Sequence, residues 1–464
     1  MSNTVLGKSL SRLYELYCEN GGRVTTDSRS VAAQSAEHDG VGPIFFALQG
    51  ENFDGNDYAR QAVADGAVAA VVHGKMPRGV AADSEEAHRY IVVKDTLAAL
   101  QELAAHHRDM LGLPVIALTG SNGKTTTKEL MARVLRTRYR VACTKGNLNN
   151  HIGVPLTLLS VSDQDDVAIV EMGANHPGEI AALCAIARPD IGLVTNVGRA
   201  HLEGFGGPEG VRRGKGELFD YLAAHGGTAI YRSDDATLAS MIAERFGEDS
   251  SAVAVGYTVA ELGVSAAAGT HDDRLVIVAD GAGEMATGMT GAYNLYNAAA
   301  ALAVGRYFGI EPVDALRAVA GYEPDNNRSQ VELSANATGN TLYKDAYNAN
   351  PSSMAAALDN FFGLPVAGRR VVVLGDMREL GDFSEAEHRA VVERLSLQPD
   401  LDVYLVGPEF TKAAGETCSG HVRVFESSAA LADALKRGEV TIRDAHVLVK
   451  GSRGIALETL YPLL

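Results

Sequence analysis

The chain has 464 residues, 46% of them hydrophobic and 21% charged, which is more than one core can organise and calls for two to four domains. Its 41 basic and 58 acidic side chains leave a net charge of -17, which excludes a general nucleic-acid binder, because such proteins neutralise phosphates with Lys and Arg. No apolar run reaches the roughly eighteen residues of a membrane span.

The N-terminal segment lacks a charged-then-apolar leader, and Leu10, Leu13, Tyr14 and Tyr17 share one helical face, so folded protein in the cytoplasm is expected there. The four cysteines, Cys18, Cys143, Cys184 and Cys418, have no metal-ligand spacing and are expected as free buried thiols in a reducing compartment. A first section, residues 1–108, holds short strands and turns around 44–48, a helix near 56–65 and a strand at 69–72. A second, 109–313, starts with Pro114 and an apolar strand at 115–118. A helix over 125–139 follows, with Leu130, Met131, Val134 and Leu135 on one face.

Further strands at 167–170 and 191–195 alternate with a helix at 178–187. A third section, 314–464, repeats the alternation: strands at 370–374, 402–406 and 446–449, helices at 384–395 and 428–437. Such alternation predicts an α/β protein with parallel sheets covered by helices on both faces. The Asn-, Asp- and Pro-rich stretch 321–329 is a candidate hinge.

Between the strand at 115–118 and the next helix stands Gly120-Ser121-Asn122-Gly123-Lys124-Thr125-Thr126. A glycine-rich turn before a helix presents backbone N–H groups and the positive end of the helix dipole to an anion. Lys124 would reach the outer phosphates and Thr125 would offer its hydroxyl to magnesium. The longer form of this loop has a glycine where Leu118 stands, so a shortened loop is implied. An ordinary strand-turn-helix is the competing interpretation, and lysine followed by three threonines counts against it.

Ligands of open parallel sheets collect beyond the carboxyl ends of strands. There the sequence places Glu171 and His201 in the second section, with Asp376, Lys450, Ser452 and Arg453 in the third. Glu171 follows four apolar strand residues and can join Thr125 in holding a magnesium ion, which prefers oxygen ligands.

The ordered set of TGSNGKTT, NLNNHIGVP (147–155), EMGANHPGEI (171–180), TNVGRAHLEGFG (195–206), DAYNANPSSM (345–354), LGDMRELG (374–381) and LVKGSRG (448–454) resembles the Mur ligase family, as do Asp27-Ser28-Arg29 and Asn52-Phe53-Asp54-Gly55. These are ATP-dependent, amide-forming enzymes of cell-wall precursor synthesis. The resemblance covers essentially the whole chain. It implies a small N-terminal α/β domain binding a UDP-linked substrate, a central P-loop parallel-sheet ATPase domain and a C-terminal Rossmann-like domain binding the incoming amine. The pattern is most similar to members that add D-alanyl-D-alanine to a UDP-N-acetylmuramoyl tripeptide through an acyl phosphate.

The resemblance further implies catalytic roles for Lys124, Glu171, His201 and Lys215, and two magnesium ions held by Thr125, Glu171, His201 and Lys215, the lysine as a carbamate. An unmodified Lys215 paired with Glu217 or with a phosphate is the alternative. ATP would be bound by residues 120–126 with Asn294, Asn297, Arg328, Asp345, Asn348 and Asn350, one of the first two competing for a helix N-cap. Asn327 replaces the glycine usual before the arginine. The UDP substrate falls to Ser28, Arg29, Asn147, Asn149 and Asn150, and the dipeptide to Asp376, Lys450, Ser452 and Arg453. A monomer is expected. A sister that adds a diamino acid, a folate-polyglutamate ligase, or a P-loop ATPase or kinase without ligation are the other possibilities. The diamino-acid enzyme's Asp-Asn-Pro-Arg motif is missing.

Overall fold

The computed structural model describes residues 5–81, 83–247, 252–267, 274–279, 283–324, 328, 330–415 and 421–464. Three sheets, two of them wholly parallel and the third nearly so, follow one another along the chain. The first has four strands in the order Val24–Thr25, Ile44–Phe46, Ala69–His73, Tyr90–Val93. Its alternating residues split between two cores: Ile44, Phe46 and Val71 pack toward Leu100 and Leu103 of the helix Thr96–Met110, whereas Phe45, Ala70 and Val72 meet Ala59, Ala62 and Val63 of the helix Ala59–Ala64. This is the period of two that a strand buried on both faces requires. Leu13 and Tyr17 of the helix Val5–Glu19 are buried as their shared face predicts, and the Tyr17 hydroxyl donates to the Leu159 carbonyl at 2.8 Å.

The second sheet has six strands in the order Val253–Tyr257, Thr228–Arg232, Ile191–Val194, Val115–Thr119, Val167–Glu171, Val141–Cys143, all parallel. The strand Val115–Thr119 is at its topological switch point, flanked by two strands whose carboxyl ends open beside its own. The helix Lys124–Leu135 packs on one face together with the helix Asn294–Tyr307. A Cβ at Gly305 would lie 2.6 Å from Val134 Cγ1, so these two helices touch through a residue without a side chain.

A three-stranded antiparallel sheet, Val264–Ala267, Arg274–Ala279 and Gly283–Thr290, is appended to this unit. The sequence pattern did not predict it. Two of its strands, VSAA and GEMATGMT, are rich in alanine and glycine and poor in the β-branched residues that signal a strand.

The third sheet runs Gln330–Leu333, Thr341–Asp345, Ala445–Lys450, Arg369–Gly375, Leu401–Val406, Val422–Phe425. It is parallel except for its antiparallel first edge strand. The expected doubly wound unit is present. The section limits read at 108/109 and 313/314 fall inside the helices Thr96–Met110 and Pro312–Ala320.

Within the candidate hinge, residues 325–327 and 329 lie outside the described residues, as does Cys418. The expectation of buried thiols holds for Cys184; Cys143 is half-buried and Cys18 is exposed on its helix. Among the described residues no helix is long and apolar enough to cross a membrane.

Candidate active site

The phosphate loop takes its shape from two glycines. Gly120 has φ +143° and Gly123 φ +77°, and a Cβ on either would meet Thr195 Oγ1 at 2.0 Å or Asn297 Oδ1 at 2.4 Å. Asn196 stitches the loop to the next strand end: its carbonyl accepts from Ser121 N at 3.0 Å, its Oδ1 from Asn122 N at 3.1 Å, and its Nδ2 donates to the Asn122 carbonyl at 3.0 Å. Lys124 Nζ donates to the Gly120 carbonyl at 2.6 Å and the Ser121 carbonyl at 3.4 Å. Burial pulls this ammonium below the usual lysine range, opposed by the charge of Glu171 and reinforced by that of Arg328.

Glu171, 1% exposed, ends the strand beside the loop. Its Oε1 accepts from Asn149 Nδ2 at 2.8 Å and from Thr125 Oγ1 at 3.3 Å. Its Oε2 is buried without a hydrogen-bond donor, and Lys128 Nζ lies 3.8 Å away. A buried carboxylate oxygen left open beside a threonine hydroxyl and a phosphate loop is the donor set one magnesium ion uses, with nucleotide phosphates completing its shell. Among the described residues no three His, Cys, Asp or Glu side chains cluster as a metal site of their own.

The residues matched to a second ion have other partners. His201, with φ +54°, pairs through Nδ1 with Glu379 of the third unit. Lys215 is fully buried, donates to the Ala174 carbonyl at 3.2 Å and lies 5.1 Å from the Phe205 ring centroid. Burial, with the charge of Lys124 adding to it, brings its ammonium down to about 7. The alternative pairing with Glu217 is not formed: that carboxylate accepts from Gly178 N at 2.6 Å and Ala181 N at 2.9 Å, at the start of the helix Glu179–Ala187.

A cavity of about 920 Å³ joins the phosphate loop, Glu171 and His201, and Lys215 is not among the residues that line it. It is lined by residues 121–126, Asn147, Asn149, Asn150, Glu171, His201, Asn294, Asn297, Arg328, Asp345, Asn348, Asn350 and Lys450. Asn294 begins its helix without capping it: Nδ2 donates to the Thr290 carbonyl at 2.7 Å and Oδ1 accepts from Asn297 Nδ2 at 2.7 Å. Asn297 Oδ1 accepts from Thr127 Oγ1 at 3.2 Å. Asn350 caps the helix Pro351–Gly363 and donates to Asn122 Oδ1 at 2.8 Å, joining the third unit to the phosphate loop. Lys450 Nζ donates to Asp345 Oδ2 at 2.6 Å and to the Asn348 carbonyl at 3.2 Å.

Other matched residues are placed differently. Asp376 is 2% exposed, and its carboxylate accepts from Glu409 N at 3.0 Å and Phe410 N at 2.9 Å, at the start of the helix Pro408–Ala414. Ser452, 3% exposed, accepts from Arg378 N and donates to the Ala349 carbonyl. Both polar side chains serve backbone groups and neither lines the cavity. Arg453 is exposed, 5.6 Å from the Tyr347 ring centroid. Ser28 and Arg29 do not line the cavity either, and Arg29 is held by both carboxylate oxygens of Asp27. Asn150 Oδ1 accepts from Ile152 N and Gly153 N, so its side chain shapes the turn into the next helix.

Sequence reasoning passed over Lys128, Asn196, Tyr296 with Arg232, and Glu379. Lys128 had one available signal, since it stands four residues after Lys124 on the face of a helix that also buries Met131 and Leu135.

Three family models match in order along the chain: the Mur ligase family catalytic domain over residues 24–108, the Mur ligase middle domain over 118–305, and the Mur ligase glutamate ligase domain over 328–453. The UDP-N-acetylmuramoyl-tripeptide–D-alanyl-D-alanine ligase of Escherichia coli K12 is 37% identical over 94% of this chain and 92% of its own length. The Bacillus subtilis 168 protein of the same name is 33% identical over 94% and 91%. The MurF ligase from Thermotoga maritima, solved in complex with ADP, superposes with a TM-score of 0.77 at 27% identity, covering 95% of this chain and 96% of that one. With the phosphate loop, the open carboxylate and the third-unit wall in place, and with relatives of this identity along nearly the full length, the chain belongs to the Mur ligase family.

Proposed function

We propose that this chain is an ATP-dependent ligase that joins D-alanyl-D-alanine to the terminal carboxylate of a UDP-N-acetylmuramoyl tripeptide, in the cytoplasm, during peptidoglycan precursor synthesis. One observation carries the ATP-driven part: the buried Oε2 of Glu171, left without a hydrogen-bond donor beside Thr125 and the phosphate loop, in a cavity that Asp345, Asn348 and Lys450 also line. The relatives at 33 to 37% identity bear the dipeptide ligase's name, so a diamino-acid sister, a folate-polyglutamate ligase and a kinase are not favoured.

A carboxylate is a poor electrophile at neutral pH, so it must first be activated. A tripeptide carboxylate oxygen attacks the γ-phosphorus of ATP, ADP departs, and an acyl phosphate remains. The dipeptide amine then adds to the carbonyl carbon and loses a proton, and inorganic phosphate leaves with the oxygen that the carboxylate supplied. Lys124 and Arg328 offset the repulsion between the two anions. Thr125 and Glu171 would hold one magnesium ion, which would withdraw charge from the phosphates. His201 and Lys215, the latter as a carbamate, would serve a second. A neutral amine is needed to react with carbon dioxide, and the lowered Lys215 pKa supports that reaction. Ser28, Arg29, Asn147 and Asn149 face the UDP substrate, Lys450 and Arg453 the dipeptide, and the chain works as a monomer.

The test is phosphate release with purified enzyme. Release is expected only with ATP, the UDP-tripeptide and D-Ala-D-Ala together, and oxygen-18 in the tripeptide carboxylate is expected in the phosphate. Release without an amine acceptor, or unlabelled phosphate, rejects the proposal. Enzyme incubated with carbon-13 bicarbonate should show a carbamate NMR resonance that Lys215→Ala lacks.

A further inference from the structure

The strand Thr228–Arg232 stands two places from the phosphate-loop strand, with Ile191–Val194 between them. At about 4.8 Å per strand that is roughly 10 Å across the top of the sheet, the span of a ribose and the near edge of its base. Arg232 ends that strand and holds its guanidinium 4.1 Å from the ring centroid of Tyr296. Asp234 at 3.2 Å and Asp235 at 2.8 Å fix the guanidinium in turn. Tyr296 precedes Asn297, whose bond to Thr127 ties it to the phosphate-loop helix, so the ring keeps a set position relative to the loop.

Both Arg232 and Tyr296 line the cavity. Arg232 lies over the ring, and 46% of Tyr296 remains exposed at the cavity. Its neighbours Asn297, Ala298 and Ala299 are buried in the core; Tyr296 adds nothing to that packing. A second arginine–tyrosine stack, Arg328 over Tyr347 at 3.8 Å, belongs to the phosphate end, because the charge of Arg328 acts on Lys124. The side chains of Asn294 and Asn297 are committed to Thr290, Thr127 and each other, which leaves the exposed part of the Tyr296 ring as the surface suited to a base.

We propose that the Tyr296 ring, backed by Arg232, is the platform on which the base of the bound nucleotide stacks. This rests on the cavity being the ATP site. Stacking on an aromatic ring acts on the base and leaves the phosphates untouched, so the two contributions separate by probe. Binding of ADP and of inorganic tripolyphosphate, each with magnesium, is measured by calorimetry on the full chain. Tyr296→Ala is expected to weaken ADP roughly 5- to 150-fold while tripolyphosphate binding and the unfolding midpoint stay unchanged. Tyr296→Phe, which keeps the ring, should bind ADP like the parent. Unchanged ADP affinity in Tyr296→Ala, or an equal loss of tripolyphosphate binding, overturns the proposal. Failure of the parent chain to bind ADP overturns the nucleotide reading beneath it, and that result appears before any variant is made.

Discussion

Replacing Lys128 with methionine leaves the buried Glu171 carboxylate without the cation that stands 3.8 Å from its open oxygen. Breaking a buried pair from one side costs about 3–5 kcal/mol, and the long contact places this case near the lower end. Urea denaturation should show that loss in Lys128→Met and recovery of most of it in Lys128→Met/Glu171→Gln, with both variants inactive. Lys215 gives a pH signature. Its folded pKa, about 7, lies below the ordinary lysine value because burial disfavours the charge, so between pH 7 and 10 the unfolded chain binds more protons and stability rises with pH. Relative to Lys215→Met, the unmodified parent should carry its full penalty below pH 7 and lose it progressively above, as read from unfolding curves at a series of pH values. Lys124 and Glu171 were legible because a strand end and a glycine turn fix where such side chains point. Lys128 was not, since a helical lysine ordinarily faces water, and the partners of Asp376 and Ser452 were not either, because a polar strand end serves neighbouring backbone amides without leaving a sequence mark.

The loop and its helix form one unit whose geometry depends on Gly123. An alanine there must adopt φ +77° and push Asn297 aside. The backbone alone costs about 1–2 kcal/mol, and the displaced asparagine would carry the helix Asn294–Tyr307 with it. Gly123→Ala should therefore lower the thermal midpoint by a few degrees and abolish measurable ADP binding; retained binding would show that the loop tolerates the shift. The central strands Val115–Thr119, Val167–Glu171, Ile191–Val194, Arg369–Gly375, Leu401–Val406 and Ala445–Lys450 were legible because residues buried on both faces leave unbroken apolar runs, whereas Val24–Thr25, Val141–Cys143, Thr228–Arg232 and Val422–Phe425 were not read. Strand order was not, since hydrophobicity alone does not say which neighbour a buried strand takes. The antiparallel sheet 264–290 escaped for want of a strong pattern.

Across the whole molecule, one apolar cluster runs from Leu13 through Met354 to Leu448, linking the three units. Polar contacts hold the third unit on the second: His201 with Glu379, Arg199 with Glu387, and the Glu203 amide with the Glu379 carbonyl at 3.2 Å. Arg199 N also donates to Ser352 Oγ at 2.7 Å. Shielding from water protects an acyl phosphate, so these contacts bear on yield as well as on stability. Glu387→Gln should lower turnover about 5-fold, the equivalent of one partly exposed ion pair, with the unfolding midpoint of the second unit unchanged. It should also increase phosphate release uncoupled from product, measured with all three substrates present. The motifs announced that two units share the chemistry, but this pairing of distant charges is set by tertiary approach and left no mark in local sequence.

The ammonium of Lys124 already rests on two carbonyl oxygens of its own turn. An incoming phosphate must therefore outcompete oxygens that are covalently tethered in place, and it gains only the difference. A lone orthophosphate has little with which to win that exchange, whereas a polyphosphate chain grips the turn at several points at once. The spent anion thus departs readily, and the site is protected from being clogged by its own by-product.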